Sequence, residues 1–315
     1  MAVRLVFVHG IGGPRRVALE QERWTEALAR GARAAGHSRA ADDLVNGKLA
    51  EVSFAYYGDL FHSPGAQGGA DAELEAPEAA ILSGLLTDIV ERRLALASDS
   101  QEQADLRQAL ADLRPEGSAA QGVGNVVRAC VNAGTTLLDA GPWRRSGQWA
   151  SSKLLIRDLG QVARYLARGR DSLDLLVRSV VADFVGAGPS VVVAHSLGSV
   201  VAYEVLHEFT SAVPLLVTLG SPLAMRAVVW PHLRPRPCRT PPGVASWLDC
   251  WDRDDVICAR PLGEADIQAN TAGVRPRGSR VDSDGLWVHS ATKYLARGEV
   301  AGPVIEALQA ASASS

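Results

Sequence analysis

The chain has 315 residues, 47% of them hydrophobic, which is enough to bury a large core in one or two domains. A formal net charge of −3 and a pI near 6.2 supply no basic field, so nucleic acid is excluded as an expected partner. The four cysteines, Cys130, Cys238, Cys250 and Cys258, show neither CxxC nor Cys/His metal spacing, so they read as core thiols of a reducing compartment and no metal site is expected.

Val3 to Val8 is an apolar run with the character of a buried strand. Because it belongs to the fold, residues 1–20 are not expected to act as a cleaved secretion signal. The strand ends at His9-Gly10-Ile11-Gly12-Gly13-Pro14. A dinucleotide fingerprint fails there because Arg15 stands where its third glycine belongs, and no GK[ST] follows for a phosphate loop. An HG-x-G turn behind a first strand can instead present backbone N–H groups to an oxyanion. Glu20 to Ala35 is helical, and Leu49 to Tyr57 is a second strand, with Trp24, Tyr56 and Tyr57 expected in the core.

From His62 to about Trp149 strand signals vanish, while Ala79 to Ala97 and Gln103 to Leu113 are helical between Gly-rich breaks at 65–69 and 116–124. Residues 62–150 are therefore expected to form a helical cap or lid inserted into a single domain spanning 1–315. Lys153 to Val185 reads as one long crossover helix, with Arg157, Arg164, Arg168, Arg170 and Arg178 on a solvated face. Val191 to Val193 is a buried parallel strand, and Val200 to Leu206 is a helix. Val213 to Leu219 and Gly243 to Trp251 are further strands, joined by a proline-rich surface connection from Pro231 to Pro242. Residues 263–288 carry no clear element, and helical patterns return at Ala291 to Ala296 and Val300 to Ala310. No apolar run reaches the roughly 18 residues of a membrane span, so a soluble, cytoplasmic protein without stable membrane insertion is expected.

Between the strand at 191–193 and its helix lies Ala194-His195-Ser196-Leu197-Gly198. A sharp strand-to-helix turn lifts its central residue off the backbone, which would expose the Ser196 hydroxyl at the carboxyl edge of the sheet. Ala194 and Gly198 are small enough to let strand and helix approach. Ser221 also follows a strand, but Pro222 removes a backbone donor and disfavours a helix directly behind it. A serine hydroxyl needs a base, which His supplies best, and the imidazole needs a carboxylate to orient it.

Of seven histidines, His9 and His195 lie in turns beside Ser196, His207 lies within a helix, and His37, His62 and His232 sit in polar connections. His289 alone follows an acid-bearing strand late in the chain, and it is the expected base. Spacing leaves the acid open among Asp252, Asp254 and Asp255. The N–H groups of Ile11 and Leu197 are the expected oxyanion donors.

The blocks VFVHGIGG, VVVAHSLGSVVAYEVL, LVTLGSPL, WLDCWDRDDVICARPL and HSATKYL resemble, in order, the α/β-hydrolase fold family, and within it the lipase- and esterase-like serine hydrolases. The resemblance covers most of the expected sheet and leaves residues 62–150 unmatched. It implies a mostly parallel sheet of about six strands flanked by helices, smaller than in many relatives because strands before the HG turn are lacking. Ala194 departs from the commoner first glycine of the turn. The family's D-x-x-D-x-V stretch lands on Asp255 as the acid, with Asp254 as the alternative acid. The resemblance further implies hydrolysis of a carboxylic ester, lipid ester or thioester through an acyl-enzyme, without a cofactor. An acyltransferase or other biosynthetic enzyme, and a non-catalytic binding module, are the rival readings of the same scaffold. No oligomeric state is implied.

Overall fold

The computed structural model describes residues 3–12, 16–61, 74–114, 122–139, 152–169, 171–186, 188–255, 257–258, 260–263, 266–283 and 288–313. Its six strands are β1 (Arg4–Val8), β2 (Glu51–Ala55), β3 (Ser190–His195), β4 (Leu216–Leu219), β5 (Trp247–Trp251) and β6 (Pro276–Arg280), all parallel, in the order β2-β1-β3-β4-β5-β6. Strands buried on both faces need apolar residues at every position, and Leu5 to Val8 and Val191 to Val193 supply them. The chain leaves β1 toward β2 and returns on the other side of β1 as β3. The carboxyl ends of β1 and β3 therefore flank the point where the strand order reverses, which is where open α/β sheets form a crevice. Register brings the strand ends level, with Val8 opposite Ala194, Ala194 opposite Thr218 and Thr218 opposite Asp249.

Ten helices are described: α1 (Val17–Ala34), α2 (Ser38–Val45), α3 (Ala76–Leu96), α4 (Ser100–Leu113), α5 (Val123–Asp139), α6 (Ser152–Ala167), α7 (Leu173–Val185), α8 (Leu197–Glu208), α9 (Ala291–Leu295) and α10 (Gly298–Ala313). Alternate strand residues point to opposite faces. Val6, Val8, Val192 and Ala194 share one core with α3 to α8, while Leu5, Phe7, Val191 and Val193 share the other with α1, α2, α9 and α10. Helices α3 to α6 also pack on one another, and their core runs on without a break into that of the sheet. Trp24 and Tyr57 are buried. Among the described residues no helix is long and apolar enough to cross a membrane.

The sheet is wholly parallel where a mostly parallel one was expected. β6 lies within 263–288, where the sequence shows no element. Its residues, PRGSR, are mostly exposed and carry no strand propensity, so pairing with the open edge of β5 makes the strand. Pro276 sits at its first position, where a missing N–H is tolerated. The helix expected from Lys153 to Val185 is two, because Arg168 (φ 52°) and Ser172 (φ 54°) adopt left-handed backbone between α6 and α7. Nor do its arginines form one solvated face: Arg168 pairs with Asp174 and Glu204, and Arg178 pairs with Asp174 and Glu208. The strand expected from Val213 begins at Leu216, since Pro214 interrupts the ladder and leaves Val213 and Val244 as an isolated bridge. Helices α2 and α5 were not legible. The break at 65–69, His62, Arg170 and the Gly13-Pro14-Arg15 end of the first turn lie outside the described residues.

Candidate active site

At the end of β3 the chain turns straight into α8, and Ser196 takes φ 54° and ψ −129°. Such a conformation costs on the order of 1–3 kcal/mol for a residue with a side chain. Three hydrogen bonds hold it. The Ser196 N–H donates to the Leu219 carbonyl (3.0 Å), and its own carbonyl accepts from the Ser199 N–H (2.9 Å) and the Ser199 hydroxyl (2.6 Å). At about 0.5–1.5 kcal/mol each, these bonds are enough to offset the strain. The rival Ser221 is fully buried and belongs to this support: its hydroxyl lies 2.6 Å from Ser199 Oγ and accepts from the Leu223 N–H (3.1 Å).

Gly198 is small for a reason other than the one the sequence suggests. A Cβ there would strike the His9 carbonyl and come within 2.6 Å of the Val8 carbonyl oxygen, so the constraint is the end of β1 and not the helix's own strand. Gly10 mirrors it, because a Cβ would lie 2.6 Å from Ser196 Cβ and 3.3 Å from Ser196 Oγ. The HG turn and the strand-to-helix turn at Ser196 interlock, and the HG turn's backbone lies against the serine. His9 anchors that turn from the core. Its Nε2 accepts from the Tyr57 N–H (3.1 Å), its carbonyl accepts from the Tyr57 hydroxyl, and its ring stacks 4.1 Å from the Tyr57 ring.

Ser196 Oγ lies 2.9 Å from His289 Nε2, and His289 Nδ1 lies 2.8 and 2.9 Å from the two oxygens of Asp255. An ionised carboxylate only accepts, so Nδ1 carries the proton and Nε2 is left to accept from the serine hydroxyl. All three residues are buried. Burial pushes the Asp255 pKa up. The adjacent His289, the Tyr294 hydroxyl (2.7 Å) and the Ile257 N–H (2.9 Å) together outweigh that, and the carboxyl is held below its ordinary value. A hydroxyl aimed at an imidazole backed by a carboxylate can surrender its proton as it attacks an electrophile.

The other two carboxylates of the cluster go elsewhere. The Asp254 side chain is 53% exposed with Arg253 3.7 Å away, so the alternative acid has no part in the constellation. Asp252 is buried, accepting from the Ser283 N–H (2.6 Å), the Ser283 hydroxyl and the Asp254 N–H (2.8 Å), which fixes the loop that presents Asp255. His195 packs its ring 4.6 Å from that of His289. Leu197 opens α8, in the first turn, where a backbone N–H has no partner within the helix. Ile11 stands one residue past Gly10 in the turn against Ser196, and the N–H of the next residue, Gly12, is taken by Gln161 Oε1 (3.0 Å).

Three contributors escaped sequence reasoning. Tyr294 sits on α9 and carried one signal, since a buried tyrosine needs a partner for its hydroxyl. Gly220 (φ 52°) passes so close to the His–Asp pair that a Cβ would lie 2.7 Å from Asp255 Oδ2. Gln161 lies 149 residues from its partner, and nothing local marks it. Among the described residues no group of three or more His, Cys, Asp or Glu side chains is placed to hold a metal ion. Comparison of the chain with protein-family models, curated proteins and solved structures yields no match.

Proposed function

We propose that the protein is a serine hydrolase of the α/β-hydrolase type that cleaves a carboxylic ester, lipid ester or thioester. Ser196 is the nucleophile, His289 the general base and then acid, and Asp255 the residue that orients His289 and stabilises its charged form. The observation that carries this reading is the continuous chain from Ser196 Oγ to His289 Nε2 (2.9 Å) and from His289 Nδ1 to Asp255 (2.8 Å). Ser196 Oγ attacks the substrate carbonyl as its proton passes to His289 Nε2, and the N–H groups of Ile11 and Leu197 receive the charge on the carbonyl oxygen. The intermediate collapses, the leaving alcohol or thiol takes the proton from His289, and water resolves the acyl-enzyme by the same route.

Residues 62–150 are read as the cap over this site. In support, α3 packs against the segment that follows β4, where a Cβ on Gly84 would approach Val228 Cγ2 to 3.2 Å. Four free thiols favour a reducing compartment, and a cytoplasmic location is part of the proposal.

A fluorophosphonate probe is expected to label Ser196 in the wild type and not in Ser196→Ala, and hydrolysis of p-nitrophenyl esters is expected to fall by on the order of 10⁴–10⁶ in that variant. A wild-type protein that neither labels nor turns over any ester or thioester would overturn the reading in favour of a binding module. Product analysis with added alcohols or amines separates hydrolysis from acyl transfer, and acyl groups passing to the acceptor in preference to water would make the protein a transferase.

A further inference from the structure

We propose that Gln161 is a positioning residue for the oxyanion hole and that α6 is the brace fixing the distance between its two donors; this rests on the hydrolase reading above. The Gln161 side chain is buried and uses both ends of its carboxamide on one residue of the HG turn. Its Oε1 accepts from the Gly12 N–H (3.0 Å), and its Nε2 donates to the Gly12 carbonyl (3.4 Å). A turn built on Gly10 and Gly12, the latter at φ 139°, has little conformational preference of its own. The paired bonds imitate a strand partner and restrain the peptide that follows Ile11.

The same face of α6 holds the other donor. Tyr165 follows Gln161 at i+4, the spacing that stacks side chains along one side of a helix, and Arg168 is the first residue past the end of α6. The Tyr165 hydroxyl donates to Glu204 Oε2 (2.6 Å), and Arg168 pairs with Glu204 Oε1. Glu204 is a fully buried carboxylate on α8, the helix that begins with Leu197. Its Oε1 also accepts from the Arg234 N–H (3.0 Å), so the anchor is held from two sides. One helix thus grips the turn that carries Ile11 and the helix that carries Leu197. Oxyanion donors act only when held at hydrogen-bond range of the developing charge, and a misplacement of about 1 Å costs on the order of 10²-fold in rate.

The test uses Gln161→Ala and Gln161→Met in the full chain, the second keeping the side-chain volume without the hydrogen bonds. In both variants kcat for an ester substrate is expected to fall on the order of 10²-fold with KM little changed. Affinity for a trifluoromethyl ketone analogue of that substrate should weaken in parallel, while the pH profile stays in place. A role confined to packing would spare Gln161→Met and leave the analogue affinity unchanged, and that result overturns the proposal. A wild type without ester activity or Ser196 labelling sinks the hydrolase reading itself, whereas an active wild type with an equally active Gln161→Met sinks only the role of Gln161.

Discussion

Single residues in this site are constrained by what lies within a bond length or two of them, and Gly220 is the clearest case. At φ 52° it holds a conformation that costs an L-residue roughly 1–2 kcal/mol. A Cβ would also sit 2.7 Å from Asp255 Oδ2 and 3.1 Å from His289 Nδ1. Neither atom has room to retreat, because Asp255 is pinned by Tyr294 and Ile257 as well as by His289. Gly220→Ala is therefore expected to push the imidazole away from Ser196 and to lower kcat by on the order of 10²-fold. Fluorophosphonate labelling should slow in proportion, because it depends on the same proton transfer. Steady-state kinetics beside the labelling rate checks this, and unchanged kinetics would show that the pair is not held as tightly as its bonds suggest. Ser196 and His289 were legible because one sits in a strand-to-helix turn and the other in a late loop, whereas spacing left Asp252, Asp254 and Asp255 open and only the family resemblance singled out Asp255. The residues that hold them, Tyr294, Gly220 and Gln161, take their meaning from neighbours far away in sequence, which no local pattern encodes.

Whole elements were legible where propensity and burial agree. β1 and β3 carry unbroken apolar runs, Leu5 to Val8 and Val191 to Ala194, and α1 has a clear apolar stripe, so sequence and structure coincide there to within a few residues. They diverge where tertiary pairing supplies what the sequence lacks. PRGSR becomes β6 only because β5 offers an open edge, and the Lys153 to Val185 pattern is cut in two by a left-handed turn whose side chain, Arg168, is anchored on Glu204. Close approach of elements also explains a glycine that a helix would otherwise avoid. Gly31 lies inside α1, where alanine would favour the helix by roughly 0.5–1 kcal/mol. A Cβ there would strike the Leu295 carbonyl of α9 and lie 2.8 Å from Ala301 Cβ. Backbone cannot swing aside as a flexible side chain can, so the clash wins. Gly31→Ala is expected to destabilise the fold by about 1–3 kcal/mol. Because α9 carries Tyr294, it should also lower kcat although Gly31 touches none of the reacting groups. Urea unfolding and kinetics on the same preparation would show both effects, and a stable, fully active variant would mean that α9 can shift without consequence.

Across the whole molecule the dependence of stability on pH is a contest between buried groups of opposite sign. Asp255 is held below its ordinary value, so its contribution is present above the unfolded pKa and is lost only as pH falls through the lower folded one. Asp249, at the centre of β5, behaves in the reverse sense. Complete burial drives its pKa from 3.8 to about 6, although it accepts from the Thr218 hydroxyl (2.6 Å) and the Leu262 N–H (2.9 Å). Between those values the folded chain holds a proton there that the unfolded chain does not, so stability from Asp249 is full below pH 3.8 and is lost as pH rises through about 6. A shift of that size corresponds to about 3 kcal/mol. Glu204 and Asp88, both raised by burial, act in the same direction, whereas His207 and His232, both lowered by burial, add stability as pH rises. The net profile therefore mixes both signs, and the informative quantity is the difference between wild type and Asp249→Asn. Asparagine cannot titrate, and its amide faces a donor at whichever end it turns, a cost that does not vary with pH. Unfolding free energy of the wild type relative to Asp249→Asn is expected to decline by about 2 kcal/mol from pH 4 to pH 7, with most of the change below pH 6.5. Urea titrations of both proteins at half-unit intervals check it. A constant difference would mean that Asp249 keeps its charge in the fold, so that the two donors outweigh its burial.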